Sequence, residues 1–338
     1  MHKRFVNHCT IALTIIPDGP ILIKSGEEGG GADPTKPAME FVETYHAGGK
    51  SIYLPGSSLK GAIRAHAERI VRTIGRDKRS SSDDGFTLWA SDPLSEDKRN
   101  NPNHYLEDWK KANKNHHNPG QYIYKQSCFV SQMFGNTSVA SRVRIEDAYP
   151  DKDKPKPKLE ERNGVAIDRV FGSVAVGPFN YQVCTAGEFG TKIHLKNFSL
   201  AQLGLIGLVL RDLNDGWFGI GFAKSRGLGT VTVKYNEAVV QYPGCQLDED
   251  NRQIQQIVKP GRWGHAFLLG AGEFLDTEEA ANYGFSKPDR EQTPIAAEPM
   301  DLGFGVQLKW QGDGETGVPN LFKCAVCAWS KLLTGAAA

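Results

Sequence analysis

The order of predicted elements constrains the fold more than any other feature of this sequence. A strand, an amphipathic helix and a strand follow one another twice, once on each side of a polar segment. We predict these elements at Arg4–Ile16, Leu59–Ile74 and Ala140–Ala148, and then at Lys192–Phe198, Ser199–Leu213 and Thr230–Val240. This is the order of an α+β, ferredoxin-like fold, in which one antiparallel sheet carries two helices on one face.

The chain is longer than this pattern requires, with 338 residues in total. Residues 1–240 hold the predicted core, which is interrupted over 75–126 by a polar insertion or long loop. An extended arm or hairpin is predicted within residues 160–190. Residues 241–338 form a C-terminal extension of unknown role, whose last apolar stretch, Leu321–Leu333, could be helical.

Composition gives no overall sign of a nucleic-acid partner. The net charge is +1, so any such surface must come from local clustering of basic residues. The six cysteines are scattered, as in a reduced protein, and no stretch is apolar and long enough to span a bilayer. Polar residues interrupt Phe5–Ile16 too often for a signal peptide. The sequence therefore predicts a cytoplasmic protein with no membrane partner.

The first of three basic motifs lies where a strand leads into the first helix. Ser57 or Ser58 is predicted to cap this helix, whose free N–H groups and positive dipole end suit an anion. Lys60 and Arg64 add cationic side chains in the first two turns. A phosphate site and an ordinary capped helix with two solvated charges both fit this pattern.

The second motif is a glycine-rich loop before the last predicted strand of the core. Closely spaced glycines let backbone amides approach a phosphodiester chain, which cationic side chains then neutralise. The residues expected to contact such a chain are Gly219, Gly221, Lys224, Ser225, Arg226 and Gly227. A Walker A loop is excluded because no glycine directly precedes Lys224 and a strand follows. The alternative is a plain glycine-rich hairpin.

The third motif is the predicted strand around Arg142 and Arg144. Alternation along a strand places these two side chains on one face, with Val143 and Ile145 on the other. That face is either a basic track for nucleic acid or a solvated surface of the sheet.

Taken together, these segments resemble the RAMP superfamily of type III CRISPR–Cas proteins. The matching residues are the helix start Pro55-Gly56-Ser57-Ser58-Leu59-Lys60-Gly61, the strand Ser141-Arg142-Val143-Arg144-Ile145-Glu146-Asp147-Ala148 after Phe134-Gly135, the arm Val165-Ala166-Ile167-Asp168-Arg169, and the loop Lys224-Ser225-Arg226-Gly227-Leu228-Gly229. The likeness covers residues 4 to about 240 and is greatest to the backbone subunit that stacks along the guide RNA. It implies an RRM-like core with guide CRISPR RNA and single-stranded target RNA as ligands. It also implies neighbouring RAMP subunits and the large subunit of the complex as partners.

The resemblance further implies RNA cleavage. In that subunit a loop after the first strands carries an aspartate needed to cut the target RNA, and Asp33 falls at the matching place. Its carboxylate could hold Mg²⁺ or another divalent cation, or position the 2′-hydroxyl that attacks the adjacent phosphate. The alternative is that Asp33 only begins an Asp-Pro turn.

The arm containing Asp168 and Arg169 corresponds in the family to a thumb-like hairpin that wedges into the guide–target duplex. Phe171 could support such a wedge, since aromatic side chains stack on splayed bases. It could equally pack at the base of the hairpin.

A structural zinc occurs in many such subunits but is not expected here. Cys128 stands at one family position, whereas Ser131 occupies the place of the next cysteine. A structural zinc normally has four good ligands.

Three functions remain open from the sequence. The chain could bind guide RNA and cleave target RNA, it could be a non-catalytic RNA-binding scaffold of the same complex, or it could process precursor guide RNA. The third activity generally uses a histidine-centred acid–base site. His46 and His66 are the histidines nearest in sequence to the RNA-facing segments.

Overall fold

The computed structural model describes residues 4–25, 39–46, 49–76, 88–114, 117–250 and 252–334. The strands in these ranges are β1 His8–Pro17, β2 Glu43–His46, β3 Gly49–Ile52, β4 Val143–Ile145, β5 Tyr149–Pro150, β6 Lys158–Ile167, β7 Val174–Ala186, β8 Phe189–Lys196, β9 Val231–Tyr242, β10 Cys245–Leu247, β11 Gln253–Gln256, β12 Arg262–Gly264, β13 Phe267–Leu269, β14 Arg290–Gln292, β15 Glu298–Pro299 and β16 Val306–Gln311. The helices are α1 Gly56–Ile74, α2 Pro102–Ala112, α3 Pro119–Gln126, α4 Phe129–Phe134, α5 Leu200–Asn214, α6 Thr277–Tyr283 and α7 Val318–Thr334.

The central sheet is antiparallel and is built around β1. Its strand order is β15-β16-β9-β1-β8-β4, with β5 also paired to β8. Ile11 of β1 lies opposite Ile193 of β8 on one side and opposite Ala238 of β9 on the other. Along the chain, β1, α1, β4, β8, α5 and β9 follow the β-α-β-β-α-β order expected from the sequence. The prediction of an α+β fold with an antiparallel sheet is therefore confirmed.

The two faces of the sheet differ in what covers them. Successive side chains of a strand point to opposite faces, and in β1 the buried set is Cys9, Ile11, Leu13 and Ile15. These residues share one hydrophobic cluster with apolar side chains of α1 and α5. The opposite face, hereafter the open face, carries the partly or fully exposed residues His8, Thr10, Ala12, Thr14, Arg144, Lys192, His194 and Lys196.

The two core helices begin in different ways. In α5, Ser199 Oγ accepts a hydrogen bond from the Gln202 N–H, and the Gln202 side chain accepts one from the Ser199 N–H. This capping box is set by local sequence, and the predicted cap at Ser199 is confirmed. In α1, by contrast, neither Ser57 nor Ser58 caps the helix, which begins at Gly56, three residues before the predicted start at Leu59.

Residues 75–126 are predicted to be a polar insertion or a long loop, and their described part contains two helices, α2 and α3. α2 and α3 pack against α6 through a small apolar cluster that includes Leu106, Ile123, Tyr124 and Tyr283. Burial of these side chains outweighs the polar character of the segment because each helix needs only one apolar face. The strand predicted at Ala140–Ala148 is also shorter than expected, since only Val143–Ile145 has strand geometry.

The C-terminal region extends the same sheet and core. β16 pairs with β9, with Leu308 opposite Val240, and α7 confirms the helix expected from the apolar stretch at the end of the chain. α7 comes unusually close to α5 because α5 has glycines at the contact. A Cβ atom at Gly204 would lie 2.8 Å from the Ala325 carbonyl oxygen, and one at Gly207 would lie 2.7 Å from Phe322.

The close contact between α5 and α7 gives a stability prediction. We expect Gly204→Ala to lower the free energy of unfolding by about 1–3 kcal/mol, because the new methyl group must push the backbone of α7 away. Gly61→Ala is the matched control: Gly61 is also a helical glycine, yet a Cβ atom there meets nothing within 4 Å. That variant should gain up to about 1 kcal/mol from helix propensity. Urea denaturation of both variants tests this, and equal stability of the two would contradict the packing described.

Candidate nucleic-acid interface

A groove follows the β4 edge of the sheet, between the N-terminus of α1 and the open face. Its first part, about 480 Å³, is lined among others by Phe5, His8, Ser57, Lys60, Arg144, His194 and Lys196. Its second part, about 680 Å³, is lined among others by Ala12, His46, Arg144, Asp147, Tyr149, Gly190 and Lys192. Arg144 and Ile145 belong to both parts, so the two form one continuous surface, hereafter the β4 groove.

The N-terminus of α1 is packed tightly on β4. A Cβ atom at Gly56 would lie 2.4 Å from the Ile145 carbonyl oxygen, so only glycine fits at this position. The Gly56 N–H donates to Asp147 Oδ1 at 2.7 Å, and this carboxylate caps the helix in place of the predicted serines. Ser57 and Ser58 are exposed. The Asp147 carboxylate therefore occupies the first N–H group of the helix beside the groove.

Lys60 is fixed in the groove by two hydrogen bonds. Its ammonium group donates to Ser141 Oγ at 2.8 Å and to the Val143 carbonyl oxygen at 3.1 Å, which uses two of its three N–H donors. Burial, and secondarily the charge of Arg64, lowers the pKa of Lys60. No carboxylate in the described part of the chain forms an ion pair with it, so its charge is available to an anionic ligand.

Arg64 has a different role from Lys60. Its Nε donates to Glu68 Oε1 and one terminal nitrogen donates to the Gly135 carbonyl oxygen, both at 3.0 Å. The second of these bonds ties α1 to the turn that follows α4. Arg64 does not line the β4 groove, and the structure therefore separates it from the other residues of the predicted helix-start site.

Arg144 lies on the open face, as expected from the alternation along β4. Its guanidinium donates to Glu146 Oε1 at 3.0 Å, and His194 Nε2 lies 2.8 Å from the same oxygen. The other ring nitrogen of His194 lies 3.3 Å from Thr10 Oγ1. Glu146 therefore orients a cation and an imidazole at the centre of the groove while leaving the side chain of Arg144 68% exposed.

Arg142 does not form a basic track with Arg144, and this expectation is wrong. Only 4% of Arg142 is exposed, since regular alternation begins at Val143. Its guanidinium carbon lies 4.0 Å from the centre of the Tyr124 ring. One terminal nitrogen donates to the Tyr124 hydroxyl and to the Asn197 carbonyl oxygen, both at 2.8 Å. Arg142 thus joins the insertion to the core of the sheet.

His8 adds a second imidazole to the groove, which the sequence alone did not indicate. Its ring stacks on that of His194 with 5.6 Å between centroids, and its Nδ1 lies 3.4 Å from Gln241 Oε1. Burial is the main cause that lowers the pKa of His8, and the nearby charges of His194, Arg144 and Lys196 act in the same direction. An anionic ligand in the groove would oppose this effect by favouring the protonated ring.

The glycine-rich loop lies at the opposite end of β1 from His8. Val231, just after the loop, pairs with Pro17, the last residue of β1, and the length of this strand separates the two sites by roughly 30 Å. Gly221 has a positive φ of 81°, and a Cβ atom there would lie 2.3 Å from the Leu22 carbonyl oxygen. A Cβ atom at Gly219 would lie 2.9 Å from the Gly229 carbonyl oxygen. These two glycines therefore serve contacts within the protein.

The tip of the same loop is exposed and cationic. Lys224, Ser225 and Arg226 form one turn of 3₁₀ helix that ends at Gly227, and all four residues are exposed. The Arg226 guanidinium lies 5.3 Å from the centre of the Phe222 ring. Within the described ranges neither cation of the tip has a carboxylate partner, so both charges are available to a phosphate backbone.

The predicted hairpin consists of β6 and β7, and its tip carries exposed apolar side chains. Val170 is 81% and Phe171 84% exposed, so Phe171 lies at the tip rather than packing at the base. Asp168 shapes the turn: its Oδ1 accepts hydrogen bonds from the N–H groups of Val170 and Phe171 at 2.7 and 2.9 Å. The bonds from Phe171 and Val170 lower the pKa of Asp168. Arg169 beside them is exposed.

Asp33 lies outside the described residues, but the chain on either side of its segment is placed. The Ser25 N–H donates to the Glu40 carbonyl oxygen at 3.1 Å, and the Met39 N–H donates to the Asn180 carbonyl oxygen of β7 at 3.3 Å. The Phe222 N–H of the glycine-rich loop donates to the Leu22 carbonyl oxygen at 2.7 Å. The residues that flank the Asp33 segment therefore contact the hairpin at Met39 and the glycine-rich loop at Leu22.

The two histidines considered for precursor processing lie in different surroundings. His66 is buried, with Nε2 2.8 Å from Asp212 Oδ2 and its ring stacked on Phe218. This pair packs between α1 and α5 and does not line the β4 groove. His46 does line the groove, where its ring stacks on Tyr149.

Within the part of the chain that the structure describes, no group of three or more His, Cys, Asp or Glu side chains is placed to hold a metal ion. The Cys128 sulfur accepts a hydrogen bond from the Ser131 N–H at 3.3 Å and lies 3.2 Å from Ser91 Oγ. It therefore serves as the N-cap of α4. None of the described helices combines the length and apolar character needed to cross a membrane.

An antiparallel sheet with a cationic groove on its open face and exposed aromatic side chains nearby has the features of a protein that binds single-stranded nucleic acid. A family model for the RAMP superfamily matches residues 14–232, from within β1 to the start of β9. The chain belongs to the RAMP superfamily, whose members bind CRISPR RNA and work in complexes. No curated protein was found to match the sequence.

The groove geometry predicts which cations contact RNA phosphates. Lys60→Gln and Arg144→Gln should each weaken the binding of a short single-stranded RNA, on the order of tenfold at about 0.1 M salt. Each should also reduce the slope of log K against log salt by about 0.7. Fluorescence anisotropy over a series of salt concentrations measures both effects. Arg99→Gln is the control, because Arg99 is exposed, pairs with Asp97 and lies outside the groove lining. Equal affinity and slope in all three variants would contradict the assignment.

Proposed function

We propose that this chain is a guide-RNA-binding backbone subunit of a type III CRISPR effector complex, which cleaves the bound complementary target RNA with a divalent cation. The observation that carries the proposal is the β4 groove. It combines Lys60, Arg144, Lys192 and Lys196 on one continuous surface of a protein whose net charge is only +1. Local concentration of cations in a groove is what a phosphodiester backbone requires.

The groove and the glycine-rich loop together suggest a path for the guide RNA. The second part of the groove extends along the sheet to Gly190, which lies opposite Thr14 near the far end of β1. The exposed cations Lys224 and Arg226 lie beyond that end of β1. A single strand following this path would contact cations along the open face of an RRM-like core and then at the loop.

The hairpin supports contact with the guide–target duplex. Its distal half exposes Val165, Ile167, Val170, Phe171, Val174 and Val176. Apolar side chains on a projecting hairpin are costly to expose to water unless they meet a partner. Inserted between base pairs, Phe171 would stack on a displaced base while Arg169 contacts a phosphate.

Cleavage is assigned to Asp33 on the family resemblance and on where its segment begins and ends. One flank of the segment is bonded at Met39 to β7 of the hairpin that would distort the duplex. A bound divalent cation would supply charge to stabilise the reacting phosphate. The Asp33 carboxylate would either hold that cation or position the 2′-hydroxyl of the target strand.

A non-catalytic scaffold in the same complex is the second candidate. It is favoured by one observation: the β4 groove is complete within the described residues and requires nothing from the Asp33 segment. Precursor processing by a histidine has less support, because His66 is buried in a pair with Asp212 and the ring of His46 is engaged with Tyr149.

Cleavage of labelled complementary RNA by the reconstituted complex with Mg²⁺ separates the first two functions. Asp33→Ala should lower the rate of target cleavage by at least about a hundredfold, as expected for loss of a group that acts on the reacting atoms. Binding of guide and target RNA should be unchanged. Removal of Mg²⁺ with a chelator should abolish cleavage by the unmodified complex.

The control is Glu28→Ala, which removes another carboxylate from the same sequence segment and should leave the cleavage rate unchanged. An Asp33→Ala complex that cuts at the normal rate would make the chain a scaffold. A complex that binds neither RNA would contradict the proposed function as a whole.

A further inference from the structure

Three aromatic rings lie nearly parallel beside the second part of the β4 groove, and two of them, His46 and Tyr149, belong to its lining. His46 of β2 stacks on Tyr149 of β5 with 3.8 Å between ring centroids and 8° between their planes. Tyr53, just before α1, lies 5.8 Å from Tyr149 at an angle of 14°. His46 is the last residue of β2, is exposed and lines the groove. Parallel rings with an exposed member are the arrangement on which a nucleobase stacks.

The position of this stack is fixed by the same contacts that fix α1. The Tyr149 hydroxyl donates to Asp147 Oδ2 at 3.2 Å, while the other oxygen of Asp147 accepts from the Gly56 N–H. Tyr149 also pairs through its backbone with Gly190 of β8. Partial burial and the carboxylate of Asp147 raise the pKa of Tyr149, so the phenol stays protonated and keeps donating. Tyr149 therefore gives the His46 ring a fixed surface to stack on, which reduces the freedom that His46 would lose when a base binds.

The stack lies within reach of phosphate-binding groups. His46 and Tyr149 line the same part of the groove as Arg144 and Lys192. Cations for the backbone and a ring surface for a base therefore occur side by side, which is the combination found in sites for single strands. The stack contributes ring faces, and every nucleobase has a face of this kind, so the contact would tolerate any sequence.

We propose that His46, supported by Tyr149 and Tyr53, is a stacking site that holds one unstacked nucleobase of a single-stranded RNA bound in the β4 groove. This site rests on the RNA-binding part of the proposed function and is independent of Asp33. With this site, the groove would bind RNA through a ring contact to one base as well as through charge, and that contact would fix the position of the base along the groove.

The test uses the full chain and a short single-stranded RNA that carries one 2-aminopurine, moved from position to position in a set of oligonucleotides. In the unmodified protein, binding should quench the fluorescence strongly at one position. His46→Ala should abolish that quenching and weaken binding on the order of tenfold. His46→Phe should keep the quenching and the affinity of the unmodified protein, because phenylalanine also offers a ring face. Tyr45→Ala is the matched control, because Tyr45 is the preceding residue of β2 and is 82% exposed.

A second measurement separates stacking from a change in folding. An oligonucleotide with an abasic site at the quenched position should bind the unmodified protein as weakly as His46→Ala binds the intact RNA. The abasic RNA should then lose nothing further with His46→Ala. RNA binding that is unaffected by His46→Ala would overturn the stacking site while leaving the proposed function standing. Failure of the unmodified chain to bind RNA would overturn both.

Discussion

The contact between the first turn of α1 and the backbone of β4 joins the two sides of the β4 groove. Gly56 packs so closely on Ile145 that no side chain fits between them. The Asp147 carboxylate then closes the helix start by accepting the Gly56 N–H. One helical turn later, Lys60 reaches Ser141 and the Val143 carbonyl oxygen across the same seam. A shift of α1 along β4 would therefore displace Lys60 relative to Arg144, which lies on β4 itself.

Asp147 links this seam to the aromatic part of the groove. Its two carboxylate oxygens accept from different elements, the start of α1 and the ring of Tyr149. Glu146 has a comparable role on the open face, where it holds Arg144 and His194 together. Two consecutive acidic residues thus organise a surface whose ligand is an anion. Both acidic groups line the groove, but each accepts hydrogen bonds from protein donors, and the groove cations Lys60, Lys192 and Lys196 form no ion pair with a carboxylate within the described residues.

The sequence predicts the parts of this structure that depend on local patterns. Alternation in β1 and the capping box at Ser199 involve residues at most a few positions apart. The strand β1, the helix α5 and the start of α5 could therefore be predicted from the sequence. The cap of α1 could not, because Asp147 is 91 positions away from Gly56. The burial of Arg142 likewise depends on Tyr124, which belongs to an insertion that looks uniformly polar. The stack of His46 on Tyr149 requires the folded arrangement of β2 and β5, for which the sequence has no periodic signal.

The central claim is that RNA lies along the β4 groove and continues to the glycine-rich loop. It is tested most directly by ultraviolet cross-linking of a 4-thiouridine-substituted guide RNA in the reconstituted complex, followed by mass spectrometry of the cross-linked peptides. The account predicts cross-links in the peptides that carry His46, Tyr149 and Lys224, at successive positions along the RNA. Cross-links of the guide confined to α2, α3 or α7, with none in those peptides, would contradict it.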